Sequence, residues 1–329
     1  MKRFLYLGLA LTGLLSLTAF TVSLYRSLQL SILAPEPSTA MEYHFTLYIP
    51  DNRNSFFEGI ISGAEQAAGE LNSAISVHSI DPVKNELEFA AFTGADGVIV
   101  CPYLEDTAAK YYMDLLKDNQ VPAVLINHNL PSEQPWPFIG ANNFDLGRRI
   151  GLVLQDTPEN THLALVYSDK APGIYTEREL VEMGIYASAA DRLTGPIVHY
   201  KTNMNPLDAE SLLVSIFRSV GGGAIRPVID TIVFTDPEDT IAAAQTLVDL
   251  NMVGQIRIIG FGSDPGVTEN LRKGIISASV VIDPEFIGYE AVRSLAALCT
   301  IGYTSASIDA GIEIITAGSA AGAASGGGH

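Results

Sequence analysis

Cysteine is scarce: Cys101 and Cys299 are the only two and stand almost 200 residues apart. Two isolated thiols build neither a disulfide framework nor a thiolate metal cage. Basic residues are few, 19 against 37 acidic ones, which leaves a net charge of −18. A field of that sign repels phosphate backbones and argues against nucleic acid as a partner. The six histidines show no HExxH or paired spacing, so no metal site is read. No Walker A loop is present, and the turn after the first strand-like run reads Pro50-Asp-Asn-Arg-Asn-Ser55 rather than GxGxxG. Gly260-Phe-Gly262-Ser-Asp-Pro-Gly266 lacks the third glycine at the right spacing, and the glycines at 221–223 follow a helical stretch and read as a helix end. No GxSxG elbow exists, Cys101 ends an apolar strand and Cys299 falls on an apolar helix face. The chain is therefore read as a non-enzyme, with no catalytic residue and no cofactor.

Charged residues are only 17% and hydrophobic ones 47%, too apolar for a disordered chain. The 329 residues are enough for two lobes of roughly 100–150 residues, each with its own core. Met1-Lys2-Arg3 precedes a 22-residue uncharged stretch, Phe4–Tyr25. As a helix it is about 33 Å long, enough to cross a bilayer, whereas a secretory apolar region is usually about 7–15 residues. Residues 1–25 are thus read as an uncleaved membrane anchor. The alternative is a signal peptide removed near Ser38-Thr-Ala40. No cysteine follows the run, so a lipid anchor is excluded, and Lys2 and Arg3 outnumber Arg26, which places the body outside the cytoplasm. Residues 26–41, with Pro35 and Pro37, form a linker, and residues 317–329 form an Ala/Gly/Ser tail with nothing to bury, expected to be disordered.

Between linker and tail a strict rhythm holds. Strand-length apolar runs occur at Tyr43–Ile49, Ile75–Ile80, Gly97–Cys101, Ala123–Asn127 and Phe138–Ala141. They recur at Leu163–Tyr167, Ile197–Tyr200, Thr231–Phe234, Arg257–Phe261 and Ser277–Ile282, with a short last run at Ile312–Thr316. Helical spacing fills most intervals, beginning with Phe56, Phe57, Ile60, Ile61, Ala64, Ala67, Ala68 and Leu71 and continuing at 83–93, 105–119 and 143–155. The second half repeats it at 176–191, 206–219, 238–251, 265–273 and 285–299. Continuous apolar strands alternating with helices predict parallel sheets covered on both faces, and two such series predict two doubly wound α/β lobes.

Ligands of open parallel sheets bind beyond the carboxyl ends of the strands. Asn54 with Phe56 and Phe57 stands after the first run, Tyr103 after the third, and Asn127 and His128 after the fourth. Ser168–Arg178, Thr235–Asp239 and Gly262–Gly266 follow runs of the second half. Aromatic faces pack on the CH patches of sugars or on flat rings, and amides both donate to and accept from hydroxyls. Phe56 and Phe57 lie about 100° apart on a helix, so one ring can join the core while the other faces the cleft.

Residues 43–316 resemble the type I periplasmic solute-binding proteins, in the ribose/galactose-like branch. The resemblance is carried by Asn54-Ser-Phe-Phe-Glu-Gly-Ile-Ile-Ser-Gly-Ala-Glu-Gln-Ala-Ala68, Gly94-Ala-Asp-Gly-Val-Ile-Val-Cys-Pro102, Val121-Pro-Ala-Val-Leu-Ile-Asn127 and Ile139-Gly-Ala-Asn-Asn-Phe-Asp-Leu-Gly147. Ile258-Ile-Gly-Phe261 and the stretch from Gly274-Ile-Ile-Ser-Ala-Ser-Val-Val-Ile-Asp283 through Val292 complete it. The ligand domain of lac-repressor-like regulators shares this fold, but those carry a DNA-reading helix pair where this chain has an apolar segment. The resemblance implies two lobes joined by three crossings, 42–142 plus 283–300 and 143–282 plus 301–316, closing on a small sugar or sugar-like molecule. It implies an ABC permease as partner; the apolar span, read as engaging the membrane through residues 4–25, and the departures in the site favour a sensor-kinase ectodomain as the alternative. Asn54, Phe56 and Phe57 keep the family's ligand-binding pattern. Arg178 stands for its arginine on the first helix of the second lobe. Elsewhere the chain departs: Asn127-His128 replace an acid–arginine pair, Asp236-Pro237-Glu238 replace Asn-Asp, Asp264 follows Gly262 where an aspartate belongs, and Ile282 replaces a polar residue.

Overall fold

The computed structural model describes residues 17–18, 20–22, 41–50, 54–80, 86–130, 135–168, 174–202, 205–221 and 229–317. The chain forms two compact units, 1–42 and 43–329. In the first, 17–18 and 20–22 are helical. Most of 4–25, the linker through residue 40 and the tail beyond Ala317 lie outside the described residues, and with them the anchor and the disordered tail read from sequence. Among the described residues no helix is long and apolar enough to cross a membrane.

The second unit holds two six-stranded sheets. The first contains β1 (His44–Pro50), β2 (Ala74–Ile80), β3 (Gly97–Val100), β4 (Ala123–Ile126), β5 (Phe138–Gly140) and β11 (Ser307–Asp309), ordered β11-β5-β4-β3-β1-β2. The second contains β6 (Leu163–Ser168), β7 (Val198–Thr202), β8 (Thr231–Phe234), β9 (Arg257–Phe261), β10 (Ala278–Val281) and β12 (Glu313–Thr316), ordered β12-β10-β9-β8-β6-β7. The two windings match strand for strand, and each reverses beside its first strand, the point where such sheets open a crevice. Among the described residues all ladders are parallel except β10 with β12. Central strands β3, β4 and β8 are buried along their whole length, as strands covered on both faces must be.

The helices are α1 (Ser55–Glu70), α2 (Asp106–Asp118), α3 (Asn143–Leu154), α4 (Ile174–Ala189), α5 (Pro206–Gly221), α6 (Pro237–Asp249), α7 (Pro265–Arg272) and α8 (Pro284–Ile301). Several begin on side-chain caps, which satisfy backbone N–H groups that have no partner inside a helix. Asn142 accepts from the Asp145 N–H (3.1 Å) and Asp283 from the Phe286 N–H (3.1 Å). Proline follows Asp236, Asp264 and Asp283 at the first helical position, where its missing N–H costs nothing. The helix expected over 83–93 is a 3₁₀ turn, Glu86–Phe92, with residues 83–85 outside the described set.

The chain crosses between lobes at 141–142, 282–283 and 310–312. The range 301–316, expected to complete the second lobe, divides. Ser307–Asp309 pairs in parallel with Phe138–Gly140 of the first sheet, and only β12 joins the second. After each of the first two crossings the new helix packs on the first helix of its lobe, α3 on α4 and α8 on α1. Glycine permits both approaches: a Cβ on Gly147 would meet the Val181 carbonyl oxygen, and one on Gly288 the Ile60 carbonyl oxygen.

Candidate functional site

A cavity of about 140 Å³ lies where the carboxyl ends of the two sheets face each other. Eight of the nine residues singled out from sequence line it: Asn54, Phe56, Phe57, Tyr103, Asn127, His128, Arg178 and Asp236. Asp264 does not. It sits at the start of α7 and reaches the site through its charge, which adds to the upward shift of the Asp236 carboxyl.

Two helix N-termini meet across the cleft. Asn54 Oδ1 accepts from the Phe57 N–H (3.3 Å) and caps α1. Asp236 Oδ1 accepts from the N–H groups of Glu238 (2.8 Å) and Asp239 (3.1 Å) and caps α6. Each cap has a second polar atom, and these meet: Asn54 Nδ2 donates to Asp236 Oδ2 at 2.9 Å, with both residues buried. One hydrogen bond thus ties the first helix of one lobe to a helix of the other. Burial pushes the Asp236 carboxyl above its ordinary range, opposed by the two backbone N–H groups and Asn54.

Aromatic rings build much of the wall. Phe57 is buried, while Phe56 is half-buried and meets Phe261 of the opposite lobe edge-on, ring centroids 6.1 Å apart. Phe57 packs edge-to-face on Tyr103 (6.2 Å), and Tyr103 lies 6.1 Å from the His128 ring. Both phenylalanines reach the cavity, so the division into one core ring and one cleft ring is not sharp. Asn127 holds a left-handed backbone (φ +64), donates its N–H to the Ile139 carbonyl (2.9 Å) and brings Nδ2 within 3.3 Å of His128 Nε2.

In the second lobe, Arg178 lies 3.5 Å from Glu182 along α4, and Glu182 also meets His199 Nε2 at 2.9 Å. His199 stacks on Tyr167 with centroids 6.0 Å apart. Burial drives the Tyr167 hydroxyl upward, with Glu182 adding to it, and lowers the His199 imidazole against the pull of Glu182. Among the described residues no cluster of three His, Cys, Asp or Glu is placed to hold a metal ion.

Behind the cap of α6, Asp239 is buried and accepts from Thr202 Oγ1. Burial raises its carboxyl to about 7, and the charges of Asp236, Asp208 and Glu238 reinforce that shift. A raised carboxyl binds its proton more tightly in the folded chain. Its ionisation cost is therefore fully present above about pH 7 and is relieved as pH falls toward the unfolded value. Thermal stability is expected to rise between pH 8 and pH 5 by up to roughly 1.4 kcal/mol per unit. Asp239→Asn should flatten that slope; a slope unchanged in the variant would contradict the assignment.

Sequence reasoning missed Leu146, Tyr167, Val181, Phe261 and Ile282 as a wall, although Ile282 drew notice as a departure. Their pattern is that of core residues, and only the topology brings them to the cavity.

The model of the periplasmic binding protein domain matches residues 45–303, spanning both sheets. The chain belongs to the periplasmic binding protein family. Three solved structures show how far this family's fold is shared. The myo-inositol binding protein of Caulobacter, bound to myo-inositol, superposes with a TM-score of 0.75 at 19% identity, over 85% of this chain and 95% of that one. GanP, a glucose-galactose binding protein from Geobacillus stearothermophilus, gives 0.74 at 21%, over 84% and 98%. A putative LacI transcriptional regulator from Bacteroides fragilis gives 0.69 at 16%, over 84% and 97%. Comparison with curated proteins finds no match. At these identities the neighbours show the type I periplasmic binding protein fold: two parallel-sheet lobes with a cavity between them.

Proposed function

We propose that this chain is an extracytoplasmic solute-binding protein that holds a small carbohydrate-like molecule between its lobes and hands it to an ABC importer. The observation that carries the reading is the cavity itself, with aromatic faces from both lobes beside the amides and charges of Asn54, Asn127, Arg178 and Asp236. Rings suit the CH faces of a sugar, and amides and charged groups suit its hydroxyls. Relatives described as binding glucose, galactose and myo-inositol support that class. Binding favours the closed arrangement only as far as the ligand contacts both lobes at once. The ligand should be recovered chemically unchanged, as expected of a binder that is not an enzyme.

Phe56→Ala/Phe57→Ala tests the site. Saturating ligand at about 100 times Kd stabilises a one-site protein by about 2.7 kcal/mol. A screen of D-galactose, D-glucose, D-ribose and myo-inositol by thermal shift should find that gain in the natural chain and lose it in the double variant. An equal shift in both would remove these rings from the site.

A second reading, a membrane-anchored sensor that passes its state to a sensor kinase, is favoured by the length of the uncharged run Phe4–Tyr25. Mass spectrometry of the mature N-terminus separates the two. Retention of Met1 or Lys2 supports the anchored sensor, and a start near Met41 supports the shuttle.

A further inference from the structure

One hydroxyl on the wall of the cavity is left unexplained by the fold. Tyr167, in β6, lines the cavity and is 7% exposed. Its hydroxyl oxygen is buried and has no hydrogen-bond partner among the described residues. Leu146 and Val181, which line the cavity from the same lobe, are hydrocarbon. Thr235 Oγ1 is spent on the Val166 carbonyl at 3.1 Å. Glu182 is engaged with Arg178 and His199 and acts on Tyr167 through its charge. Packing does not require the hydroxyl, since phenylalanine supplies the same ring to stack on His199. Folded chains rarely leave such a group unpaired, because it has given up water for nothing. Asn143, the first residue of α3, lines the cavity as well, and its amide makes no hydrogen bond among the described residues.

Burial and the charge of Glu182 keep the proton on Tyr167, so its hydroxyl is a donor and its partner must accept. A carboxylate suits the place poorly. The charge of Arg178 is already matched by Glu182, and Asp236 lines the same cavity. A neutral hydroxyl accepts from Tyr167 and still has a proton of its own to give. We propose that Tyr167 reads the ligand: its hydroxyl donates to a sugar hydroxyl on the ring edge turned to the second lobe, and a ring lacking that hydroxyl is rejected. The Asn143 amide is a second polar group of the same lobe open to that edge, while Leu146, Val181 and Ile282 are left to face ring carbons. The proposal rests on the carbohydrate reading above and names the residue of this wall that discriminates among sugars.

Tyr167→Phe tests it on the full 329-residue chain, with D-galactose, D-glucose, D-ribose and myo-inositol as probes in titration calorimetry. The variant should bind the tightest of the four about tenfold more weakly or worse, the scale of one unmade buried hydrogen bond. Without ligand it should melt at or above the natural temperature, since it removes only a hydroxyl that has no partner. Monodeoxy analogues of the same sugar locate the other end of the bond. One of them should bind the natural chain about tenfold more weakly than the parent and bind Tyr167→Phe as well as it binds the natural chain. Equal affinity of the parent sugar for both chains would give the hydroxyl a partner other than the ligand and overturn the proposal, with the carbohydrate reading left standing. A ligand-free melting temperature well below the natural one would overturn it too, by showing a structural role. Loss of affinity in the variant for every deoxy analogue alike would overturn the assignment to a sugar hydroxyl. Binding of none of the four probes to the natural chain would overturn both readings.

Discussion

Asp236→Ala is expected to destabilise the chain by about 2–4 kcal/mol and to loosen the two lobes from each other. The residue does two jobs with two oxygens. Oδ1 caps α6 and Oδ2 accepts from Asn54 across the cleft. Losing a cap costs about 1 kcal/mol, and leaving the buried Asn54 amide without its acceptor costs about 1–3 kcal/mol more. Asp236→Asn separates the two contributions. Its oxygen keeps the cap, so its nitrogen turns toward Asn54 Nδ2 and sets donor against donor. That variant should keep most of the helix stability and lose the bridge. Small-angle scattering should then report a larger radius of gyration for Asp236→Asn than for the natural chain, while chemical denaturation shows the smaller loss. An unchanged radius would mean that the bridge does not hold the lobes together.

Gly288→Val should cost more than about 3 kcal/mol, at the upper end of what overpacking does. A Cβ there meets the carbonyl oxygen of Ile60, with the Ile60 carbonyl carbon at 2.8 Å and the Ala64 nitrogen at 2.9 Å. All three are backbone atoms of α1, which no rotamer change can move aside. Gly302→Ala is the comparison. Its surroundings are open, but its backbone is left-handed (φ +79), so conformational strain of about 1–2 kcal/mol is the whole expected loss. Comparable denaturation midpoints for the two variants would show that α1 and α8 can part without penalty.

Much of this architecture is legible before any coordinates. Four-residue runs such as Gly97–Val100 and Thr231–Phe234 are apolar because both faces are covered, and that marks them as parallel strands. Ser307–Asp309 escapes the same reading because it is a three-residue edge strand with one apolar side chain, Ile308, which packs on the core while backbone pairing with β5 fixes its place. The site divides along similar lines. Asn127, His128 and Asp236 stand within two residues of an apolar strand's end and Asn54 four residues past β1, where sequence position alone predicts a crevice. Tyr167 and Phe261 lie inside strands and Val181 inside a helix, so nothing in their spacing separates cavity wall from core. Asp264 marks the limit of matching by position. It begins a helix two residues past the positive-φ turn at Gly262, and that offset sets it outside the lining.

The left-handed turn at Asn127 bears on how this cavity can change over evolutionary time. A position held at positive φ admits glycine, asparagine or aspartate readily and charges nearly every other side chain for its conformation. Drift in ligand choice is thereby channelled away from residue 127 and into neighbours whose backbones are ordinary. His128, Arg178 and Ile282 hold no left-handed backbone, so a change of side chain there meets no such conformational cost, and Asn127 is the fixed point around which new specificities would have to be built.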